Sequence, residues 1–172
     1  SDKKLELSHP SIGKICIDPD LESFKFINWV SPLMPGNRAA SVKLIRSVQT
    51  GMTDTDFPSI SIGNLASHRE IEKKVGEKLS LLRWRCNLWI DGCKPWDELK
   101  WIGKSLKIGG VTFKIKEEIV RCLATTANPV SGKRDVDTLG TLEIMGQDDF
   151  TVAAIATSSG RIKSGDTVEV VS

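Results

Sequence analysis

Short strand-like runs separated by turns constrain the fold of this chain more than any other feature of its sequence. They continue along most of the chain, with glycine or polar residues between them. The runs cover residues 13–17, 23–29, 41–48, 59–62, 106–108, 111–116, 119–125, 139–145, 150–157 and 167–171. Many short strands at close spacing are typical of a β-barrel or a β-sandwich. The pattern therefore predicts a mainly β protein in which helices are minor insertions.

One helix of substantial length is predicted, beginning near Ser67. Ser67 and Glu70 fit a capping box, in which the two side chains satisfy unbonded amides at the start of a helix. Apolar residues then recur at helical spacing until Gly76, a residue type that commonly ends helices. Pro95 suits the first position of a short helical turn over residues 95–101.

The composition indicates one folded domain with an extension. The chain has 172 residues, of which 40% are hydrophobic and 27% are charged, values near the averages for a soluble globular protein. A cluster of serine, proline, glycine and asparagine at residues 31–37 indicates a soft boundary near residue 40. We therefore expect an N-terminal β extension over residues 1–40 and the main domain over residues 41–172.

Charge and hydropathy argue against two classes of partner. Lys plus Arg exceed Asp plus Glu by 24 to 22, and this net charge of +2 is too small to indicate binding to nucleic acid or an anionic membrane. The apolar stretches fall far short of the roughly 20 residues that a membrane span needs. The sequence also shows no signal-peptide core. We expect a cytoplasmic protein that does not act at a membrane.

Four cysteines are candidate reactive groups: Cys16, Cys86, Cys93 and Cys122. None of their spacings matches a zinc site, and free thiols are expected in a reducing cytosol. A free cysteine is either packed or reactive. Neither histidine has partners at a metal-like or triad-like spacing, so the sequence does not favour a Cys-His hydrolase.

Two segments carry more specific information. They are residues 83–92 (RWRCNLWIDG) and residues 121–132 (RCLATTANPVSG). Together with residues 96–109 between them, they resemble the MOSC family, which is named for the C-terminal domain of molybdenum cofactor sulfurase. The resemblance begins near Val42 and ends at residues 160–168 (GRIKSGDTV). It implies a closed or nearly closed mixed β-barrel with a few short helices, and binding of the molybdenum cofactor, molybdopterin.

Cys122 is the sulfur on which the family's chemistry would depend. Its alternation with Val120 and Ala124 predicts a strand position, with Arg121 on the opposite face. A thiol acts as a nucleophile or metal ligand in its thiolate form, which nearby cations favour. The expected sources of that positive charge are Arg83, Arg85 and Lys133 or Arg134. The resemblance makes Cys122 a molybdenum ligand or a persulfide carrier; by position alone it would be a packed strand residue.

The remaining candidate residues would bind the cofactor. On an extended strand, Arg83, Arg85 and Asn87 share one face and can present two guanidinium groups and an amide to one ligand. A solvated face is the alternative. The resemblance implies that Arg85 and Asn87 hold the pterin and its phosphate, whereas Cys86 is assigned a structural role. Polar residues that either fix a turn or donate to an anion are Thr125, Thr126, Asn128 and Ser131.

Three hypotheses for function follow. The first is a molybdenum-dependent reductase of N-hydroxylated compounds, in which Cys122 ligates the metal and a separate redox partner supplies electrons. The second is a sulfur carrier that receives sulfane sulfur on Cys122 from a cysteine desulfurase. The third is a non-catalytic binding module. The first hypothesis also implies a small-molecule substrate.

Overall fold

The computed structural model of the protein describes residues 4–46 and 53–171. The chain divides into two compact units, Ser1–Met52 and Thr53–Ser172. The elements of the first unit are strands β1 (Leu5–His9) and β2 (Gly13–Ile17), helix α1 (Ser23–Val30) and a 3-10 turn (Ser31–Leu33). The two strands pair as an antiparallel hairpin. The predicted strand at residues 13–17 is thereby confirmed.

Helix α1 replaces a predicted strand at residues 23–29. A turn before the helix sets its direction, because the amides of Leu21 and Glu22 both donate to the carbonyl of Asp18. The carboxylate of Glu22 in turn accepts the Asp18 amide at 2.8 Å. The amide of Phe26 then donates to the carbonyl of Glu22, which starts the helical ladder. Local turn bonds therefore outweigh the alternation of apolar residues on which the strand prediction rested.

The second unit is built on a sheet. Its strands are β3 (Ile60–Asn64), β4 (Leu88–Ile90), β5 (Ser105–Ile108), β6 (Val111–Val120), β7 (Asp149–Ala156) and β8 (Val168–Val171). Its helices are α2 (Leu65–Val75) and α3 (Thr138–Ile144), with 3-10 turns at Leu81–Trp84, Asp97–Trp101 and Leu123–Thr126. The turn at residues 97–101 falls within the predicted helical turn.

The six strands form one curled sheet in the order β4-β3-β7-β6-β5-β8. Only β3 and β4 run parallel, so the sheet is mixed. The prediction of a mainly β fold with few helices is confirmed, but the closed barrel is wrong. The sheet is a half-barrel, because its end strands β4 and β8 do not pair with each other in the described structure. No strand forms at residues 41–46, and residues 47 and 48 of that predicted strand lie outside the described residues.

Helix α3 also replaces a predicted strand, at residues 139–145. The carboxylate of Asp137 accepts the amide of Gly140 at 2.9 Å and so caps the first turn. Leu142 is the core residue of this helix, since only 1% of its surface is exposed. Three apolar residues of the predicted strand, Leu139, Leu142 and Met145, are spaced by three. This spacing lets them pack on one side of a short capped helix.

Helix α2 begins two residues before the predicted start. The side chain of Asn64 caps it by accepting the amide of Ala66 at 2.9 Å. Ser67 is buried in the helix, and its hydroxyl accepts the amide of Trp96 instead. The helix near Ser67 is therefore confirmed, but the Ser67 capping box is wrong. Gly76 ends the helix as predicted, with a φ of 89° that suits glycine.

Two apolar clusters form the core of the second unit. One lies along the sheet, and the other packs α2 and α3 around Trp84 and Phe150, whose ring centroids are 4.4 Å apart. The Trp84 indole donates to Nδ1 of the buried His68 at 3.0 Å. Burying roughly 200 Å² of an indole contributes about 5 kcal/mol at 25 cal/mol per Å². Trp84 therefore anchors the backbone that carries the arginines on either side of it.

Candidate functional site

Cys122 lies beyond the end of a strand. Strand β6 ends at Val120, and Cys122 is an extended, exposed residue just before the 3-10 turn Leu123–Thr126. Its carbonyl accepts both the amide of Thr125, at 3.1 Å, and the hydroxyl of that residue, at 3.0 Å. The predicted strand position is wrong, since alternation was extrapolated across the strand end. The thiol is exposed on a turn whose backbone is held by hydrogen bonds, and the packed alternative does not describe it.

Arg121 points into the protein, where its whole guanidinium group is bonded. Its Nε donates to the carbonyl of Phe150 at 2.6 Å and its Nη1 to the carbonyl of Trp84 at 2.9 Å. Its Nη2 donates to the hydroxyl of Thr151. The guanidinium carbon also lies 5.7 and 5.9 Å from the ring centroids of the two aromatic residues. These contacts fix the position of the residue that precedes Cys122.

No carboxylate neutralises Arg121 within ion-pair distance in residues 4–46 and 53–171. Burial lowers the pKa of this guanidinium to about 10, against the opposing influence of Cys86, Cys122 and Asp149. Arg121 is thus a partly buried cation in the residue that precedes Cys122. The sequence-based expectation placed Arg121 on the face opposite Cys122, and its guanidinium does point into the protein. Its bonding to Trp84, Phe150 and Thr151 was not expected, because it depends on residues that are distant in the sequence.

Arg83 serves the framework of the turn. Its side chain is 4% exposed, and its Nη2 forms an ion pair with Asp135 at 2.6 Å. Its Nη1 donates to the carbonyl of Thr126 at 3.1 Å. The buried Nε has no partner among the described residues. Arg83 therefore connects the first motif segment to the turn that Cys122 begins.

Arg85 and Asn87 lie on the surface, in a backbone that is not a strand. The 3-10 turn at residues 81–84 ends at Arg85, which is exposed and left-handed with a φ of 52°. The side-chain oxygen of Asn87 accepts both the amide and the hydroxyl of Ser61 at 2.9 Å. The prediction that Arg83, Arg85 and Asn87 share one strand face is wrong. Arg83 is buried, whereas the other two are exposed.

Polar residues after Cys122 fix the turn. The Thr125 hydroxyl also bonds Thr138, and the Thr126 hydroxyl donates to the carbonyl of Leu123 at 2.8 Å. Asn128 accepts two amides of its own loop, and its amide donates to Asp135 at 2.7 Å. The Ser131 hydroxyl accepts the amide of Lys133. These contacts fit the turn-fixing alternative, and ligand binding by the four residues stays a prediction.

Cys86 is packed beside the anchor of Arg121. Burial raises the pKa of its thiol, although hydrogen bonds with Ser61 and Thr151 act in the opposite direction. A side chain on Gly63 would meet the Trp89 ring at 2.7 Å and the Cys86 sulfur at 3.1 Å, so the backbone fits only glycine there. Thr151 itself has a φ of 73°, a strained value for a β-branched residue. The contacts of Cys86 agree with the structural role expected for it.

A surface cavity of about 280 Å³ adjoins the turn that begins at Cys122. It is lined by Leu123, Thr126, Arg134, Asp135, Val136 and Asp137. None of the helices in the described structure has the length and apolar character needed to cross a membrane. Within the same residues, no group of three or more His, Cys, Asp or Glu side chains is placed to hold a metal ion.

Comparison with known proteins places the chain in a family. A search of curated proteins found no match. The family model for the MOSC domain matches residues 53–169, which is more than half of the chain and nearly all of the second compact unit. The matched region includes both motif segments, the Arg83–Asp135 ion pair and the Cys122 turn. On this evidence, the chain belongs to the MOSC domain family.

Proposed function

We propose that this MOSC protein binds the molybdenum cofactor through Cys122 and reduces N-hydroxylated compounds. The observation that carries the proposal is the exposed Cys122 thiol, held by a hydrogen-bonded turn next to the partly buried cation of Arg121. Thiolate sulfur is a soft ligand suited to a redox metal. Arg121 holds the backbone that carries this sulfur, because its guanidinium bonds the carbonyls of Phe150 and Trp84 and the hydroxyl of Thr151.

The exposed side chains of the first motif segment suit an anionic cofactor. Arg85 is exposed, and its guanidinium has no ion pair within the described residues, so it can donate to a phosphate group in bidentate fashion. Asn87 uses its side-chain oxygen internally, which leaves its amide hydrogens as donors. Arg83, Thr125, Thr126 and Asn128 would act by shaping the turn. The cofactor, when bound, would supply the two-electron redox chemistry.

A sulfur-carrier function is the second candidate, favoured by the exposure of Cys122. Sulfur transfer requires a partner to reach the thiol, and this thiol lies on the surface. The persulfide of a cysteine desulfurase would transfer its outer sulfur atom to the Cys122 thiolate, forming Cys122–S–S⁻. The desulfurase cysteine would leave as a thiol. This step needs no other oxidant, because the sulfane sulfur is passed on unchanged in oxidation state.

Molybdenum analysis of protein from cofactor-competent cells separates the two functions. The reductase function predicts that the purified protein contains stoichiometric molybdenum and reduces an N-hydroxylated amidine when electrons are supplied. The carrier predicts no bound metal, but a reductant-sensitive gain of one sulfur atom in the intact mass after exposure to a desulfurase and cysteine. Protein that shows neither metal nor added sulfur contradicts both functions and leaves a binding module.

A further inference from the structure

We propose that the cavity beside the Cys122 turn binds small amphipathic carboxylates, with Arg134 as the residue that holds the carboxylate. Leu123, which directly follows Cys122, forms part of its wall. Its volume of about 280 Å³ is close to the lower end of the roughly 300–1,000 Å³ typical of small-molecule sites. The cavity therefore suits a ligand the size of a single aromatic ring with one polar group.

Charge pairing around the cavity leaves Arg134 unpaired. Asp135 is engaged by Arg83 at 2.6 Å and by Asn128 at 2.7 Å. Asp137 accepts the amide of Gly140, at the start of α3. Arg134 is exposed and has no ion pair in the described part of the chain. Asp137 has no ion pair among the described residues, but its carboxylate is turned to the backbone amide at the start of α3, where the helix end offsets part of its charge. Arg134 is thus the lining cation that is free to meet a ligand, and its guanidinium has two donors that match a carboxylate.

The backbone at Arg134 is held in place. Residues Ala127 and Arg134 form an antiparallel bridge, and the amide of Asp135 donates to the carbonyl of Thr126 at 3.2 Å. Arg83 contacts Thr126 and Asp135 from the buried side and holds both ends of this loop together. The guanidinium of Arg134 therefore extends from an ordered loop.

Apolar wall residues explain why the ligand would be amphipathic. Leu123 is 52% exposed, and Val136 is partly buried beside it. A small ring packed on these side chains removes apolar surface from water on both partners. A carboxylate at one end of the ring can then reach Arg134. An inorganic anion would lack the apolar contact, and a cationic ring would meet the guanidinium.

A second cavity, at the end of α2, has each of its lining cations in an ion pair. It has a volume of about 470 Å³ and is lined by Arg69, Glu72, Lys73, Gly76, Glu77 and Lys78. Arg69 is paired with Asp91 at 2.5 Å, and Lys78 with Glu72 at 2.9 Å. The principal charges at this end of α2 are therefore already satisfied within the protein.

The last step rests on the proposed function: the lining of the cavity determines which class of substrate the protein reduces. It would select N-hydroxylated compounds that carry a small apolar body and a carboxylate. The carboxylate would be held by Arg134, and the apolar body by Leu123 next to the reactive sulfur. Binding itself does not require a metal or a sulfur atom on Cys122.

Benzoate is the probe for this site, titrated into metal-free full-length protein and followed by NMR. We expect a Kd on the order of 1 mM, as suits a ligand with few atoms, and chemical shifts centred on Leu123, Thr126 and Val136. Arg134→Gln should weaken binding about tenfold or more, because a charge-assisted hydrogen-bonded pair is lost. Lys133→Gln is the matched control, since it removes an adjacent exposed charge that does not line the cavity.

Two comparisons decide the result. Benzyl alcohol and benzamidine, which keep the ring but are neutral or cationic, should bind more weakly than benzoate. Equal binding of benzoate to the Arg134→Gln protein, tighter binding of benzamidine, or shifts centred away from the cavity would overturn the inference. Benzoate binding by a protein that takes up neither molybdenum nor sulfur would support the cavity and reject the proposed function.

Discussion

Arg83 and Arg121 lie at the start of the two motif segments, and the protein surrounds them differently. Arg83 is buried and paired with Asp135 at 2.6 Å. Arg121 is partly buried and bonded to two carbonyls, a hydroxyl and two aromatic rings, with no carboxylate within ion-pair distance in the described structure. The same residue type therefore has two uses. Arg83 is a neutralised connector, whereas Arg121 is a cation that no carboxylate neutralises among the described residues.

The contrast shows why a buried arginine cannot be assigned a role from its position in a motif. An ion pair lowers the energy of a buried charge but also cancels its field at a distance. A cation held by dipoles and rings keeps a net charge, and burial then lowers its pKa, as for Arg121. The four predictions below test this difference, beginning with the largest expected effect on stability.

Replacing Arg83 by methionine should have the largest effect, a loss of about 3 kcal/mol of unfolding free energy. The change removes the guanidinium donor from the carbonyl of Thr126 and the counter-ion from the carboxylate of Asp135, and removing one member of a buried pair is strongly destabilising. Asp135 is 38% exposed in its side chain, so water limits the loss. Urea denaturation, monitored by tryptophan fluorescence, measures it. If Arg83→Met loses less unfolding free energy than Arg121→Met, the contrast between the two arginines is contradicted.

Replacing Arg121 by methionine should cost less, about 1.5 kcal/mol. The carbonyls of Trp84 and Phe150 lose a donor, but the protein no longer buries a charge without a counter-ion, and this gain offsets part of the loss. The same denaturation series measures it. The aromatic contacts make this a sharper test, since methionine keeps the apolar packing against both rings. A cost equal to that of Arg83→Met would mean that a carboxylate partner makes no difference.

Substitutions of Thr151 test whether the backbone that binds Arg121 is strained. Both Thr151→Gly and Thr151→Ala remove the hydroxyl that Arg121 bonds, but only glycine relieves the φ of 73°. The glycine protein should therefore be more stable than the alanine protein by about 1 kcal/mol. Ala153→Gly is the control, because it lies in the same strand at an ordinary φ. There the change from alanine to glycine should lower the unfolding free energy by about 1 kcal/mol. Equal stability of the two Thr151 variants would show that the backbone there is unstrained.

Acid should affect the Arg83 pair and leave the Arg121 site unchanged. Hydrogen bonds from Asn128 and Arg83 hold the pKa of Asp135 below its ordinary value of 3.8. The folded-state pKa is thus the lower one, so the stabilisation is complete above the unfolded value and is lost as pH falls through the folded one. The effect is small because Asp135 is exposed. Asp135→Asn should remove this part of the acid dependence; an unchanged pH profile of unfolding would contradict it.

Much of the sheet could be predicted from the sequence, because period-two alternation between turns is a local signal. The regular core strands at residues 59–62, 111–116 and 150–157 follow it. The predictions failed where local capping decides the structure, as at Asp137, or where turn bonds do, as at Asp18. Neither contact can be read from the spacing of apolar residues alone.

The site was only partly predictable for a related reason. The order of the motif residues singled out Cys122, but alternation could not give the partners of Arg121, which come from distant segments. Register shifts interrupt the pairing of β6 between Ile115 and Glu117 and again between Glu118 and Val120. The left-handed backbone at Arg85 is also invisible in the sequence, since glycine or asparagine would normally mark it. Irregular backbone of this kind concentrates where the two motifs meet.

The central claim, that Cys122 is the functional sulfur, is tested most directly by comparing Cys122→Ser with Cys16→Ser. Both cysteines are exposed, so accessibility is matched, and serine keeps the shape while removing the soft ligand. Molybdenum content and reductant-sensitive added sulfur are measured in protein from the same cells. We predict that Cys122→Ser abolishes whichever one the native protein carries, while Cys16→Ser retains it. Equal loading of the two variants would contradict the claim.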